Sequence, residues 1–138
     1  ASRGAYSGKG HNGMDFRASI GTPVLASENG TVTAVGDTDI GCRGASYGKW
    51  ILIDHSNGLA TLSAHLSLIK VSPGETVSKG GLIGYSGKTG YATGPHLHFS
   101  VFAKSAVEVG QLQSRVCGRM MTLPLSPFSG YLNPLGYL

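Results

Sequence analysis

No stretch of this 138-residue chain approaches the ~20 consecutive apolar residues of a membrane-spanning helix. Its longest apolar runs have the length of a strand, as in Trp50-Ile51-Leu52-Ile53. The opening residues, Ala-Ser-Arg-Gly-Ala-Tyr-Ser-Gly, lack the apolar centre of a secretory leader and are expected to be a mature or trimmed start. Acidic residues are scarce, 7 against 11 basic ones, for a net charge of +4 and a pI near 9.2. Such a balance favours anionic partners. Yet no Lys/Arg cluster is interleaved with aromatics, so no nucleic-acid partner is expected, and the basic residues read as scattered over a soluble surface. Only two cysteines are present, Cys42 and Cys117, and the absence of a C-x-x-C pair argues against a structural zinc site. Both stand in polar, loop-like surroundings where a bare buried thiol is less expected. They are therefore a candidate disulfide, the alternative being two unrelated buried thiols. Pairing would close a loop of about 75 residues, contribute roughly 4–4.5 kcal/mol in the chain-entropy model, and imply an oxidising compartment.

Glycine, by contrast, is abundant: 22 residues, spread between short β-type runs, which indicates many tight turns. The length fits one domain over residues 1–138, and a chain this long can bury roughly two-thirds of its unfolded surface. Residues 22–26 and 31–35 flank Glu28-Asn29-Gly30, and Asn-Gly between β-type runs predicts a hairpin with a type I′ turn. Residues 49–54 read as a strand, Ser56-Asn57-Gly58 as a turn, and residues 59–65 as the returning strand. Residues 82–85 and 97–102 add two more strands. No helical period shows before residue 104; residues 107–116 are expected as a short helix and 122–130 as a loop held by two prolines. The predicted class is all-β, a compact antiparallel domain.

The chemistry-bearing residues fall at two places. His11 and Asp15, in His-Asn-Gly-Met-Asp, form an H-x-x-x-D spacing beside glycine, a weak signal alone. His96 and His98, in Pro-His-Leu-His-Phe, form an H-x-H in a strand-like run, so the two rings leave one face together. Two such imidazoles on an apolar strand are costly to desolvate without partners. They are either metal or catalytic groups, or satisfied core polar groups. Imidazole and carboxylate suit zinc, and a catalytic zinc keeps three protein ligands and an open position. His65 stands alone at a strand end, and His55 stands beside Asp54 before a turn; by themselves both read as structural. Gly81 to Thr89 ends like a phosphate-binding loop, but its first glycine is one residue too distant and no helix pattern follows, so it reads as a β turn.

Together, the ordered motifs go further. From about Gly10 to Phe102 the chain carries His-Asn-Gly-Met-Asp-Phe, Gly21-Thr-Pro-Val-Leu-Ala, Asn-Gly-Thr-Val, Tyr47-Gly-Lys-Trp-Ile-Leu-Ile-Asp-His, Ala64-His65-Leu66-Ser67, Gly74-Glu-Thr-Val-Ser-Lys-Gly-Gly-Leu-Ile-Gly-Tyr-Ser-Gly and Gly94-Pro-His-Leu-His-Phe. With the terminal Leu132-Asn-Pro-Leu-Gly-Tyr-Leu, this resembles the lysostaphin-type (LytM-like) zinc metallopeptidases that cleave peptidoglycan. The resemblance implies a barrel-sandwich β fold with a loop-walled groove, and one catalytic zinc held by His11, Asp15 and His98. It implies that His96 and His65 flank the open position, with His96 the expected base and His65 orienting water or stabilising the intermediate, roles that are open to exchange. Tyr6 is a candidate transition-state stabiliser, as in some relatives. The expected partners are peptidoglycan stems or bridges, met outside the cytoplasm by a monomer. Ser63 stands where the family often has an aromatic, and the Cys42 loop and residues 104–130 are not core features of the resemblance. Two other readings follow from the same residues: a non-hydrolytic peptidoglycan-binding or regulatory domain, and a metal-stabilised structural module.

Overall fold

Trp50-Ile51-Leu52-Ile53 places large apolar side chains on both faces of one strand, because successive residues point opposite ways. Such a strand must be covered on both sides. A computed structural model, which describes residues 13–92, 94–114, 117–126 and 131–132 (the last two by backbone alone), builds that cover around it. Tyr6 and His11 lie outside the described residues, as do 127–130 and 133–138.

Among the described residues the strands are β1 (Met14–Arg17), β2 (Pro23–Leu25), β3 (Gly30–Asp37), β4 (Lys49–His55), β5 (Leu59–Ile69), β6 (Thr76–Val77), β7 (Leu82–Ser86), β8 (His96–Ala103), β9 (Glu108–Gln113), β10 (Met120–Leu125) and β11 (Tyr131–Leu132). A single helical turn, α1 (Thr38–Gly41), follows β3. The main sheet runs β1-β8-β5-β4-β3-β6, with β11 also on β8 and β7 joining β5 to β2. Neighbours pair antiparallel throughout. On one face Trp50 and Leu52 cluster with Ala60, Leu62, Ala64 and Phe102, beneath Met121 and Leu123 of the separate β9–β10 ribbon. On the other face Ile51 and Ile53 cluster with Val24, Val32, Val77 and Ile83. Cys42 and Cys117 are joined by a disulfide that ties the loop after α1 to the connection between β9 and β10.

Four sequence expectations change. The segments around Asn29-Gly30 are strands but not partners: β2 pairs with β7, whereas β3 pairs with β4 and β6. Gly30 serves close approach rather than a left-handed turn, since a Cβ there would meet Ile53 Cγ2 at 2.8 Å and His55 Nδ1 at 2.9 Å. Residues 108–113, expected as helix, form β9; cross-strand pairing with β10 overrides local preference. Residues 120–125, which overlap the expected proline-held loop, form β10, and Pro124 is tolerated because a two-stranded ribbon leaves one side of each strand unpaired. His65 lies within β5 rather than at a strand end.

Candidate active site

His65 owes its place to a break in β5. Ile51 pairs with Ser63 and Lys49 with Leu66, so one residue of β4, Trp50, faces two of β5, Ala64 and His65. This is a β-bulge, and His65 sits in it with φ 60°, the left-handed region that side chains other than glycine rarely enter. The extra residue reverses the strand's alternation. Ala60, Leu62 and Ala64 face one core, yet Leu66, of the same parity, packs in the other. In an unbroken strand His65 would share the face of Ser63. The bulge instead brings its ring within 4.7 Å of the His96 ring and 6.0 Å of the His98 ring, centroid to centroid. Removing the ring therefore tests strand and site separately. His65→Gly is expected to be more stable than His65→Ala by about 1 kcal/mol in denaturant unfolding, because only glycine enters this backbone region without cost.

The other groups come from β1 and β8. Their register sets Asp15 opposite His98 and Arg17 opposite His96, all on the face that continues down to Phe102. His98 is wholly buried, and its Nδ1 lies 3.0 Å from Asp15 Oδ1 while its Nε2 lies 2.8 Å from Ser100 Oγ. His96 donates Nδ1–H to the Gly94 carbonyl at 2.8 Å, so in the neutral ring the lone pair is on Nε2, 3.6 Å from Asp15 Oδ1. His65 donates Nδ1–H to the Thr89 carbonyl at 2.7 Å, so its Nε2 is likewise a lone pair when the ring is neutral. Burial lowers His65 from the usual 6.5 to about 4; the Thr89 bond opposes this, and the nearby His98 and His96 add to it. The ring is thus uncharged at neutral pH. His55 stands apart, buried and satisfied: Nδ1–H donates to Asn29 O and Nε2 accepts from Thr61 Oγ1, each at 2.8 Å.

The donor chemistry fits a metal. If Ser100 accepts the Nε2 proton of His98, the Nδ1 lone pair faces the Asp15 carboxylate, and two acceptors at 3.0 Å call for a cation between them. Among the described residues no set of three His, Cys, Asp or Glu side chains converges as a metal site. Asp15 and His98 supply two donors, and His11, the expected third, lies outside the described residues. The Asp15 side chain is 36 % exposed, which leaves the cluster open on one side.

Supporting groups came without a sequence signal. The Gly90 amide donates to Asp39 Oδ2 at 3.0 Å, and the same carboxylate takes the Gly44 amide at 2.8 Å. Thr89 Oγ1 donates to Leu66 O at 2.7 Å and accepts the Lys49 amide at 3.0 Å. Asp39 of α1, with Lys49 of β4 and Leu66 of β5, therefore fixes the loop whose carbonyl holds His65. Asp39 and Gly90 are 51 residues apart, too distant for any spacing rule. Ser100 was not singled out from the sequence, although its place two residues after His98 on the same strand puts it on the same face.

The model of peptidase family M23 matches residues 9–109, from before the first motif to beyond the second. The chain belongs to this family. Among curated M23-like relatives, the DD-carboxypeptidase/endopeptidase Mpg of Neisseria meningitidis is 45 % identical over 89 residues, 64 % of this chain and 19 % of that protein. Peptidoglycan DD-endopeptidase ShyA of Vibrio cholerae is 43 % identical over 95 residues, 68 % of this chain and 20 % of ShyA. Glycyl-glycine endopeptidase ALE-1 of Staphylococcus capitis is 39 % identical over 98 residues, 71 % and 26 % of the two. The chain thus spans about a fifth to a quarter of the length of these relatives. The M23 fold agrees as well: the catalytic domain of the antimicrobial peptidase lysostaphin from Staphylococcus simulans superposes with a TM-score of 0.71 at 30 % identity, covering 96 % of this chain and 82 % of that one.

Proposed function

We propose that this M23 domain is a zinc-dependent endopeptidase that hydrolyses peptide cross-links of bacterial peptidoglycan outside the cytoplasm. The observation that carries the reading is the pair of imidazoles, His65 and His96, each with Nδ1 tied to a backbone carbonyl, beside the Asp15–His98 acceptor pair. Peptidoglycan endopeptidases among the relatives support the substrate, and the Cys42–Cys117 disulfide supports the compartment.

His11, Asp15 and His98 would hold the zinc, with Ser100 fixing the tautomer of His98. When bound, zinc supplies Lewis acidity that brings deprotonation of water toward pH ~7 and polarises the scissile carbonyl. His96 takes the water's proton on Nε2 and passes it to the leaving amine, while its Nδ1–H stays on Gly94. His65, kept neutral, accepts a hydrogen bond from the attacking water through Nε2 and orients it. Tyr6 retains the role of candidate stabiliser of the charge that builds on the carbonyl oxygen.

The test is mass spectrometry of fragments released from defined peptidoglycans. New amino termini are expected, lost with a chelator and restored by zinc. Equimolar bound zinc with no new termini from any peptidoglycan would overturn the proposal.

A further inference from the structure

The groove has a cation that neither the metal nor the proton transfers use. Arg17 closes β1 opposite His96, two residues beyond Asp15 and on the same face. Asp15, Arg17, Gly94, Pro95 and His96 line one open cavity of about 310 Å³. Arg17 is exposed, and among the described residues its guanidinium has no ion-pair or hydrogen-bond partner. By contrast, Lys49 of β4 lies 3.2 Å from Asp37, and Lys104, just past β8, lies 3.9 Å from Asp54. Asp15, which lines the same cavity, has Oδ1 turned to His98 at 3.0 Å and to His96 at 3.6 Å.

We propose that Arg17 is a specificity residue: it binds a free carboxylate of the substrate close to the scissile amide. A guanidinium presents a planar fork of donors that matches a carboxylate in two parallel hydrogen bonds, and it keeps its charge at any working pH. Seated at the strand end beside His96, it holds the peptide by an anionic group while the amide lies over the imidazoles. This rests on the hydrolase reading above and narrows it. A stem peptide offers such a carboxylate in two forms, its own C-terminus or the side carboxylate of a branched acidic diamino acid. A glycine bridge offers none beside its internal bonds. The subsite therefore selects direct, carboxylate-bearing cross-links over neutral bridges.

The test uses the zinc-loaded protein and four substrates: a cross-linked stem peptide with both carboxylates free, two versions each amidated at one of them, and a pentaglycine-bridged peptide. The unaltered protein is expected to favour the free peptide in kcat/KM by about 10- to 100-fold over one amidated version, which identifies the carboxylate bound. Arg17→Gln is expected to remove that preference, chiefly through KM, and Arg17→Lys to restore part of it. Calorimetry with a product peptide bearing that carboxylate should show about tenfold weaker binding to Arg17→Gln. Equal rates on all versions by the unaltered protein, or an unchanged preference in a folded Arg17→Gln, would overturn the subsite while leaving the hydrolase intact. Cleavage of no substrate by the zinc-loaded protein would overturn the hydrolase reading, and the subsite with it.

Discussion

His98→Ala is expected to abolish zinc binding and hydrolysis together, whereas His96→Ala keeps equimolar zinc and loses about 10²–10⁴-fold in kcat. The two residues share a strand face and differ by one turn of the pleat, and the different work proposed for them rests on their different surroundings. His98 is wholly enclosed, with Nε2 against Ser100 and Nδ1 facing the Asp15 carboxylate. A buried ring whose Nε2 is fixed by Ser100 is closed off from solvent, and its Nδ1 is well placed to hold a cation beside a carboxylate. His96 is partly exposed, tied through Nδ1 to Gly94, and lines the open cavity with Nε2 3.6 Å from Asp15. Metal content by mass spectrometry and turnover on a cross-linked peptide separate the two outcomes. Full activity in a metal-free His98→Ala protein would sink the assignment.

Gly90→Ala is expected to cost about 2–5 kcal/mol of stability and to lower turnover far more than its distance from the rings suggests. Gly90 has φ 72°, and a Cβ there would be driven into Gly48 N and Ser46 O, with Tyr47 C at 2.7 Å. The neighbouring loops cannot yield cheaply, because Gly90 is also pinned to Asp39 and Tyr91 to Ser46. Any shift carries Thr89 with it and releases Nδ1 of His65. Gly74→Ala is the control: φ is 88°, but nothing lies within 4 Å of the added carbon, so only the backbone cost of about 1 kcal/mol is expected, with activity unchanged. Denaturant unfolding and kcat on folded protein check both. Equal losses in the two variants would show that the loop does not support the ring.

The strands were legible where alternation or β-branching was strong. Residues 49–54, 59–65 and 97–102 all lie in strands, and Asn57-Gly58 turns β4 into β5 as expected. What failed was local pairing. Asn29-Gly30 has the chemistry of a hairpin turn, but β3 pairs instead with β4, further along the chain, and β2 with the still more distant β7. The β9–β10 ribbon hid behind Gly110 and Pro124, which weigh against strands until the pairing and the Met121 and Leu123 contacts are known. In the site, Asp15, His96 and His98 could be picked out from spacing, and His65 entered only through the family resemblance. A single histidine gives no hint that its strand carries an extra residue. Nor could Asp39 be found, since its link to His65 runs through two backbone groups of another loop.

That extra residue sets two demands against each other. Deleting one position at Ala64-His65 would give β5 unbroken pairing with β4, a more regular sheet by every local measure. The same deletion would seat the remaining side chain at the Ala64 position, paired with His98, and would take the imidazole from its place against His96. Regular pairing and a working histidine are therefore mutually exclusive at this point in the strand. The bulge thus keeps the strand locally frustrated, and the imidazole beside His96 is what that irregularity provides.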